Sequence, residues 1–181
     1  MKIGIVFGCF IPLHTGHMSL IEKAAKMNDR VIIAVCGSDQ DRGKDFIPFR
    51  VRIKLMQHVF DQNNITIVSI DDAKLGLDGT FTLDNWRIWS DELFNNAGIC
   101  AYDSGNEITW YTGELSYVDK LKALYDTHNF FIVSRRINNI SGTEIRSNWR
   151  SYMDKIHPYF YDYLHGIVLC EYLGYVERRN K

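Results

Sequence analysis

The chain has 181 residues and a formal net charge of -1, with 46% hydrophobic and 24% charged residues. That is enough apolar material to bury a core in one domain. A near-neutral charge argues against a nucleic-acid or other general polyanion partner, though not against phosphate held by a few placed donors. The first apolar run, Ile3–Phe7, reads as a strand covered on both faces. It is too short for a signal-peptide core, and no run approaches the roughly 20 apolar residues that span a bilayer, so a cytoplasmic protein without a membrane partner is expected. Met18–Met27 shows helical spacing at Leu20, Ile21, Ala24, Ala25 and Met27, and Val31–Cys36 is a second buried strand. Helical spacing returns at Val51, Leu55, Met56, Val59 and Phe60. Ile65–Ile70 predicts a strand, Leu83–Phe94 an aromatic-rich helix, and Ile108–Thr112 and Phe130–Ser134 strands that flank a helix near Tyr117–Tyr125.

Strands alternating with helices predict an α/β fold, a Rossmann-like open parallel sheet flanked by helices, with a short helical C-terminal extension. The division expected is an α/β domain over residues 1–150 and a helical piece over 151–181 packed on it, with subunit contacts through its aromatic helices, and so a homo-oligomer, left open. Cys9, Cys36, Cys100 and Cys170 form no C-x-x-C pair, which predicts reduced thiols and no structural zinc.

The loop after the first strand carries two histidines. Gly8-Cys9-Phe10-Ile11-Pro12-Leu13-His14-Thr15-Gly16-His17 leads from the strand into the first helix. Ligands of open parallel sheets bind beyond the carboxyl ends of the strands, and a helix N-terminus there offers N–H groups and a positive dipole end to phosphate. Gly8 and Gly16 permit close approach of backbone to ligand, while His14 and His17 add imidazole donors. No carboxylate or third ligand accompanies the histidines, so no protein-held metal is predicted. Neither G-x-G-x-x-G nor a Walker A loop is present. The segment resembles the G-x-F-x-P-x-H-x-G-H signature of the nucleotidyltransferase superfamily at Gly8, Phe10, Pro12, His14, Gly16 and His17.

A second motif, Ile140-Ser141-Gly142-Thr143-Glu144-Ile145-Arg146, follows the last strand. Ser141 and Glu144 predict a capping box and hence a helix start. Hydroxyl side chains with an arginine one turn in also suit a polyphosphate. The segment is similar to the I-S-x-T-x-x-R motif that binds ATP phosphates in the same superfamily. The resemblance implies direct attack of a substrate phosphate on the ATP α-phosphate, with His14, His17 and Arg146 as catalytic groups that stabilise charge. It implies ATP contacts from Gly8, Phe10, Gly16, Arg135, Ser141 and Thr143. Mg²⁺ is expected with ATP, held by phosphate oxygens and water.

Over about residues 2–160 the chain resembles the adenylyltransferase domain of NadR-type proteins, which join ATP to nicotinamide mononucleotide (NMN) to give NAD. The looser matches are Val35-Cys36, Arg52–Gln57, Asn85–Ser90, Thr112-Gly113-Glu114 and Arg135. The resemblance implies an NMN side formed by Trp86, Trp89, Gly113, Glu114 and Arg52. One tryptophan would stack on the nicotinamide ring, where stacking and cation–π attraction add about 0.5–2 kcal/mol. Read without it, the tryptophans are helix-face packing, Gly113-Glu114 is a turn, and Arg52 and Lys54 form a solvated basic face. NadR-type proteins commonly carry a kinase domain with its own P-loop, which has no counterpart here, so a stand-alone transferase or one part of a longer protein are both open. Other superfamily transferases, acting on phosphopantetheine, FMN or a phospho-alcohol, and a non-catalytic NAD or ATP sensor, are the alternatives.

Overall fold

A computed structural model describes residues 1–38, 46–77, 79–80, 82–133 and 141–166. Five strands, β1 (Lys2–Gly8), β2 (Arg30–Gly37), β3 (Ile65–Asp71), β4 (Glu107–Thr112) and β5 (Asn129–Ile132), form one parallel sheet in the order β3-β2-β1-β4-β5. The helices between them are α1 (Thr15–Met27), α2 (Phe49–Val59), α3 (Leu83–Ala97) and α4 (Leu115–Leu124), followed by α5 (Gly142–Ser147), a 3₁₀ segment (Trp149–Lys155) and α6 (Pro158–Leu164). This is the open α/β architecture expected. Strand order reverses direction at β1, so the crevice between the carboxyl ends of β1 and β4 is the place where such sheets bind ligands.

Strand periodicity sorts the core into two layers. Val31, Ile33 and Val35 of β2 face one side with Val6, against Leu20, Ile21 and Ala24 of α1 and Phe49, Leu55 and Met56 of α2. Ile32, Ala34 and Cys36 face the other with Ile3 and Ile5, against Trp86, Trp89, Leu93 and Phe94 of α3 and Leu121 of α4. Both faces of β1 and β2 are therefore buried, which is why they read as continuous apolar runs. Among the described residues the predicted strands and helices form, with ends moved by local chemistry. Helix α1 begins at Thr15 because the His14 ring caps it, and α3 runs on to Ala97, where Gly98 ends it at φ 64°. Within the second layer, the Trp110 indole N–H donates to His128 Nδ1 (2.9 Å), and His128 Nε2 contacts the Ala101 carbonyl (2.8 Å).

The C-terminal segment joins the first layer. Ile156 and Phe160 are buried in the same cluster as Val6, Leu13 and Ile145. The rest of the expected helical piece, residues 167–181 with Cys170, lies outside the described residues. Among the described residues no helix is long and apolar enough to cross a membrane, and no disulfide joins Cys9, Cys36 and Cys100.

Candidate active site

Between β1 and α1 the chain is a buried, tethered segment. Phe10, Ile11 and Leu13 are almost fully buried, and Phe10 sits at φ 49°, the left-handed region that turns the chain out of the sheet. The Ile11–Pro12 peptide bond is cis. Alternate carbonyls are anchored by three different elements. Cys9 O accepts from Arg52 Nη1 (2.7 Å) on α2, Ile11 O from Arg146 Nη1 (3.0 Å) on α5, and Leu13 O from the His157 amide (3.0 Å) ahead of α6. His14 also bridges Ile156 as an isolated antiparallel pair. A buried loop needs such partners for its backbone.

These tethers set the two histidines. His14 is the N-cap of α1, with Nδ1 accepting from the Gly16 amide (3.2 Å). An accepting Nδ1 puts the proton of the neutral ring on Nε2, so His14 has one N–H to donate. The His17 ring stacks on His14 at 3.8 Å between centroids, and Phe10 meets His17 edge-on at 4.9 Å. His14 is buried and His17 half-buried, a setting in which imidazole donors act on charge more strongly than in water.

The second motif folds onto the first. Ser141 caps α5 and forms the expected capping box, its hydroxyl accepting from the Glu144 amide (3.2 Å) while Glu144 accepts from the Ser141 amide (2.9 Å). The Ser141 hydroxyl and amide hold the Glu144 carboxyl below its ordinary pKa. Arg146, one turn in, donates to Ile11 O and to Thr143 Oγ1 (3.0 Å). Gly142 leaves room for this approach, since a Cβ there would lie 3.1 Å from Arg146 Nη1. Arg135 lies outside the described residues.

On the opposite face, Trp86 and Trp89 are each 7% exposed and share an aromatic cluster with Phe7 and Tyr117. Ring centroids are 5.2 Å apart for Phe7–Trp89 and for Trp86–Tyr117. Phe7 directly precedes Gly8, so the cluster adjoins the root of the histidine loop. Phe7 and Tyr117 carry only a weak signal in the sequence, an aromatic residue close to each of two loop motifs. Gly113 and Glu114 link β4 to α4 at the same edge, with the Glu114 amide donating to Thr112 Oγ1 (3.1 Å).

Arg52 corrects an expectation. The solvated basic face does not include it: the residue is 0% exposed, and its Nη atoms bond the carbonyls of Cys9, Cys36 (2.9 Å) and Ser38 (3.4 Å). Cys36, beside it, has its thiol pKa raised well above the ordinary value by burial first, then by Cys9 and Asp72. Among the described residues no group of three or more His, Cys, Asp or Glu side chains could hold a metal ion. A cavity of about 660 Å³ lined by Met1, Lys26, Asp29 and Glu107 lies at the far, amino edge of β1 and β4. It is remote from both motifs.

Two loop motifs tied together at the carboxyl edge of a parallel sheet are thus on hand, and residues 5–148 match the cytidylyltransferase-like family. The chain belongs to that family, within the nucleotidyltransferase superfamily. It is 31% identical over 183 residues to the trifunctional NAD biosynthesis/regulator protein NadR of Salmonella typhimurium, covering 88% of this chain and 40% of that protein. It therefore spans about two fifths of that relative's length. Phosphopantetheine adenylyltransferase of Vesicomyosocius okutanii is 38% identical over 71 residues, 39% of this chain and 44% of that one. A crystal structure of a NadR protein in complex with NAD and AMP-PNP superposes with a TM-score of 0.69 at 31% identity, covering 86% of this chain and 44% of that chain.

Proposed function

We propose that this family member is an adenylyltransferase that joins ATP and NMN to give NAD and pyrophosphate. The observation that carries the reading is the Arg146–Ile11 hydrogen bond, which brings the Ser141–Arg146 motif onto the histidine loop so that both can meet one polyphosphate. An NMN phosphate oxygen attacks the α-phosphorus of ATP, the bond to the β-phosphate oxygen breaks, and pyrophosphate leaves. No covalent intermediate with the protein is needed. His14 Nε2–H, His17 and Arg146 stabilise the negative charge that builds on the transferring phosphoryl group, and Gly8, Phe10 and Gly16 are assigned to ATP on the motif resemblance. Ser141 and Thr143 bind the outgoing phosphates, and Arg135 is assigned to ATP on the motif resemblance alone. Mg²⁺ arrives with ATP as part of the substrate, held by phosphate oxygens and water.

NMN is favoured over phosphopantetheine by extent of likeness, 88% of the chain for NadR against 39% for the phosphopantetheine enzyme. The aromatic cluster supports the same choice: the half-buried Phe7 and Tyr117, backed by the buried Trp86 and Trp89, lie beside the loop where a pyridinium ring could pack. Gly113 and Glu114 complete that side. The setting proposed is cytoplasmic. Incubation with ATP, Mg²⁺ and NMN should yield NAD and pyrophosphate, and His17→Ala should lower kcat by about 10²–10³ while NMN still binds. Adenylylation of 4′-phosphopantetheine with none of NMN would overturn the substrate. Tight binding of both nucleotides without pyrophosphate release would make the chain a sensor.

A further inference from the structure

We propose that Arg52 is a positioning residue for the histidine loop, acting through the backbone and not by touching substrate; the inference rests on the adenylyl-transfer reading above. Strand β1 pairs with β2 only as far as Gly8 opposite Val35, whereas β2 stays paired with β3 to Gly37 opposite Asp71. The chain of β1 leaves the sheet there, turning out at Phe10 with φ 49°. Carbonyls at this frayed corner have run out of ladder partners on one side, and buried carbonyls must be satisfied. Arg52 takes them up: a single nitrogen, Nη1, bonds Cys9 O at 2.7 Å and Cys36 O at 2.9 Å, and Nη2 reaches Ser38 O at 3.4 Å.

The guanidinium lies over the Phe49 ring at 5.0 Å and the residue is 0% exposed. Burying a charge is costly unless dipoles solvate it, and here carbonyl dipoles from two separate segments do so. A planar fork of fixed donors suits three carbonyls at once; a lysine ammonium, compact and on a floppy stem, does not. The bond to Cys9 O fixes the root of the loop, five residues ahead of His14. Arg146 and His157 fix its middle and end. Loss of the root tether would let the stacked imidazoles drift while the helix that carries Arg52 stays folded on Leu55 and Met56.

The test compares Arg52→Lys and Arg52→Met with Leu55→Ala, a buried apolar change on the same helix that lowers the melting temperature without touching the tether. Assayed below the melting transition, Arg52→Met should lose about 10–100-fold in kcat, since a displacement near 1 Å costs about 10². Arg52→Lys should recover part of it, and KM for ATP and NMN should move by no more than about threefold. In the substrate-free protein, the ring ¹H–¹⁵N NMR signals of His14 and His17 should shift in both Arg52 variants, while those of His128 stay put. Leu55→Ala should leave kcat and all three rings unchanged. Unmoved His14 and His17 signals, an unchanged kcat, or a loss confined to KM for NMN would each overturn the proposal. If Arg52→Met does not fold, Arg52→Lys decides alone. If the wild type makes no NAD from ATP and NMN, the reaction assignment falls, and the ring signals still judge Arg52.

Discussion

Gly142→Ala separates the geometry of Arg146 from the stability of α5. Gly142 opens α5, so alanine suits the backbone, and Gly→Ala at a compatible position stabilises by about 0.4–1 kcal/mol. Against this, the new Cβ would lie 3.1 Å from Arg146 Nη1 and 3.5 Å from Ile11 O. The second distance is ordinary contact; the first is tight, and the guanidinium must give by a few tenths of an ångström to relieve it. Taken up along the 3.0 Å bond to Ile11 O, that stretches it to about 3.4 Å, past the normal N–H···O range, and weakens it. A hydrogen bond from a charged donor contributes about 1.5–3 kcal/mol net, toward the low end for the half-buried Arg146. The loss outweighs the gain by about 1 kcal/mol, a drop in Tm of about 2–4 °C. The effect on turnover is larger, about tenfold in kcat, because Arg146 is moved and not removed. The assay is a double-mutant cycle: Arg146→Ala should cost about 10²–10³ in kcat, and adding Gly142→Ala to it should cost nothing further. A tenfold loss that persists in the Arg146→Ala background would refute the reasoning.

Burial lowers the pKa of His128, and burial with His58 nearby lowers that of His157. Unfolded imidazoles then bind more protons than native ones, so their contribution is complete above about pH 6.5 and is lost as pH falls below it. Urea unfolding should show stability falling from pH 7 to pH 5, with a shallower slope in His128→Gln; an unchanged slope would exclude His128 from that effect. Gly4→Ala places a Cβ 2.7 Å from Asn28 Nδ2, which donates to Ala24 O and Tyr111 Oη at 2.8 Å each. Overpacking there should cost about 1–3 kcal/mol in chemical denaturation, and an unaltered midpoint would contradict the packing described. Phe160→Ala, at a fully buried site, should cost about 3–5 kcal/mol, read as a fall in Tm of at least about 6 °C.

What could be read from the chain was whatever local rules control. Ser141 and Glu144 form their capping box within one turn, so spacing alone predicted it. The continuous apolar runs of β1 and β2 announced burial on both faces. Arg52 could not be read this way, because its burial follows from β1 ending short of β2, a property of strand register between segments far apart in sequence. Pattern reasoning assigns a polar residue on an amphipathic helix to solvent, and only the tertiary fold reverses that. The His157 tether on Leu13 is equally silent, being a backbone contact with no side-chain signature. Trp86 and Trp89 were legible as a pair on one helix face, but not their enclosure by Phe7 and Tyr117.

The strap formed by Ile156 and His157 lies beyond residues 5–148, the stretch shared with the family. A segment carrying none of the signature residues thus holds Leu13 and His14 in place. Binding and local unfolding are linked equilibria, so a nucleotide that prefers the seated loop must also clamp α6, and by the same amount. Amide exchange at His157 and Phe160 should slow when ATP binds, although neither residue is among those assigned to touch it. The tail would report on occupancy of the site, and changes in the tail would in turn set the affinity of the loop.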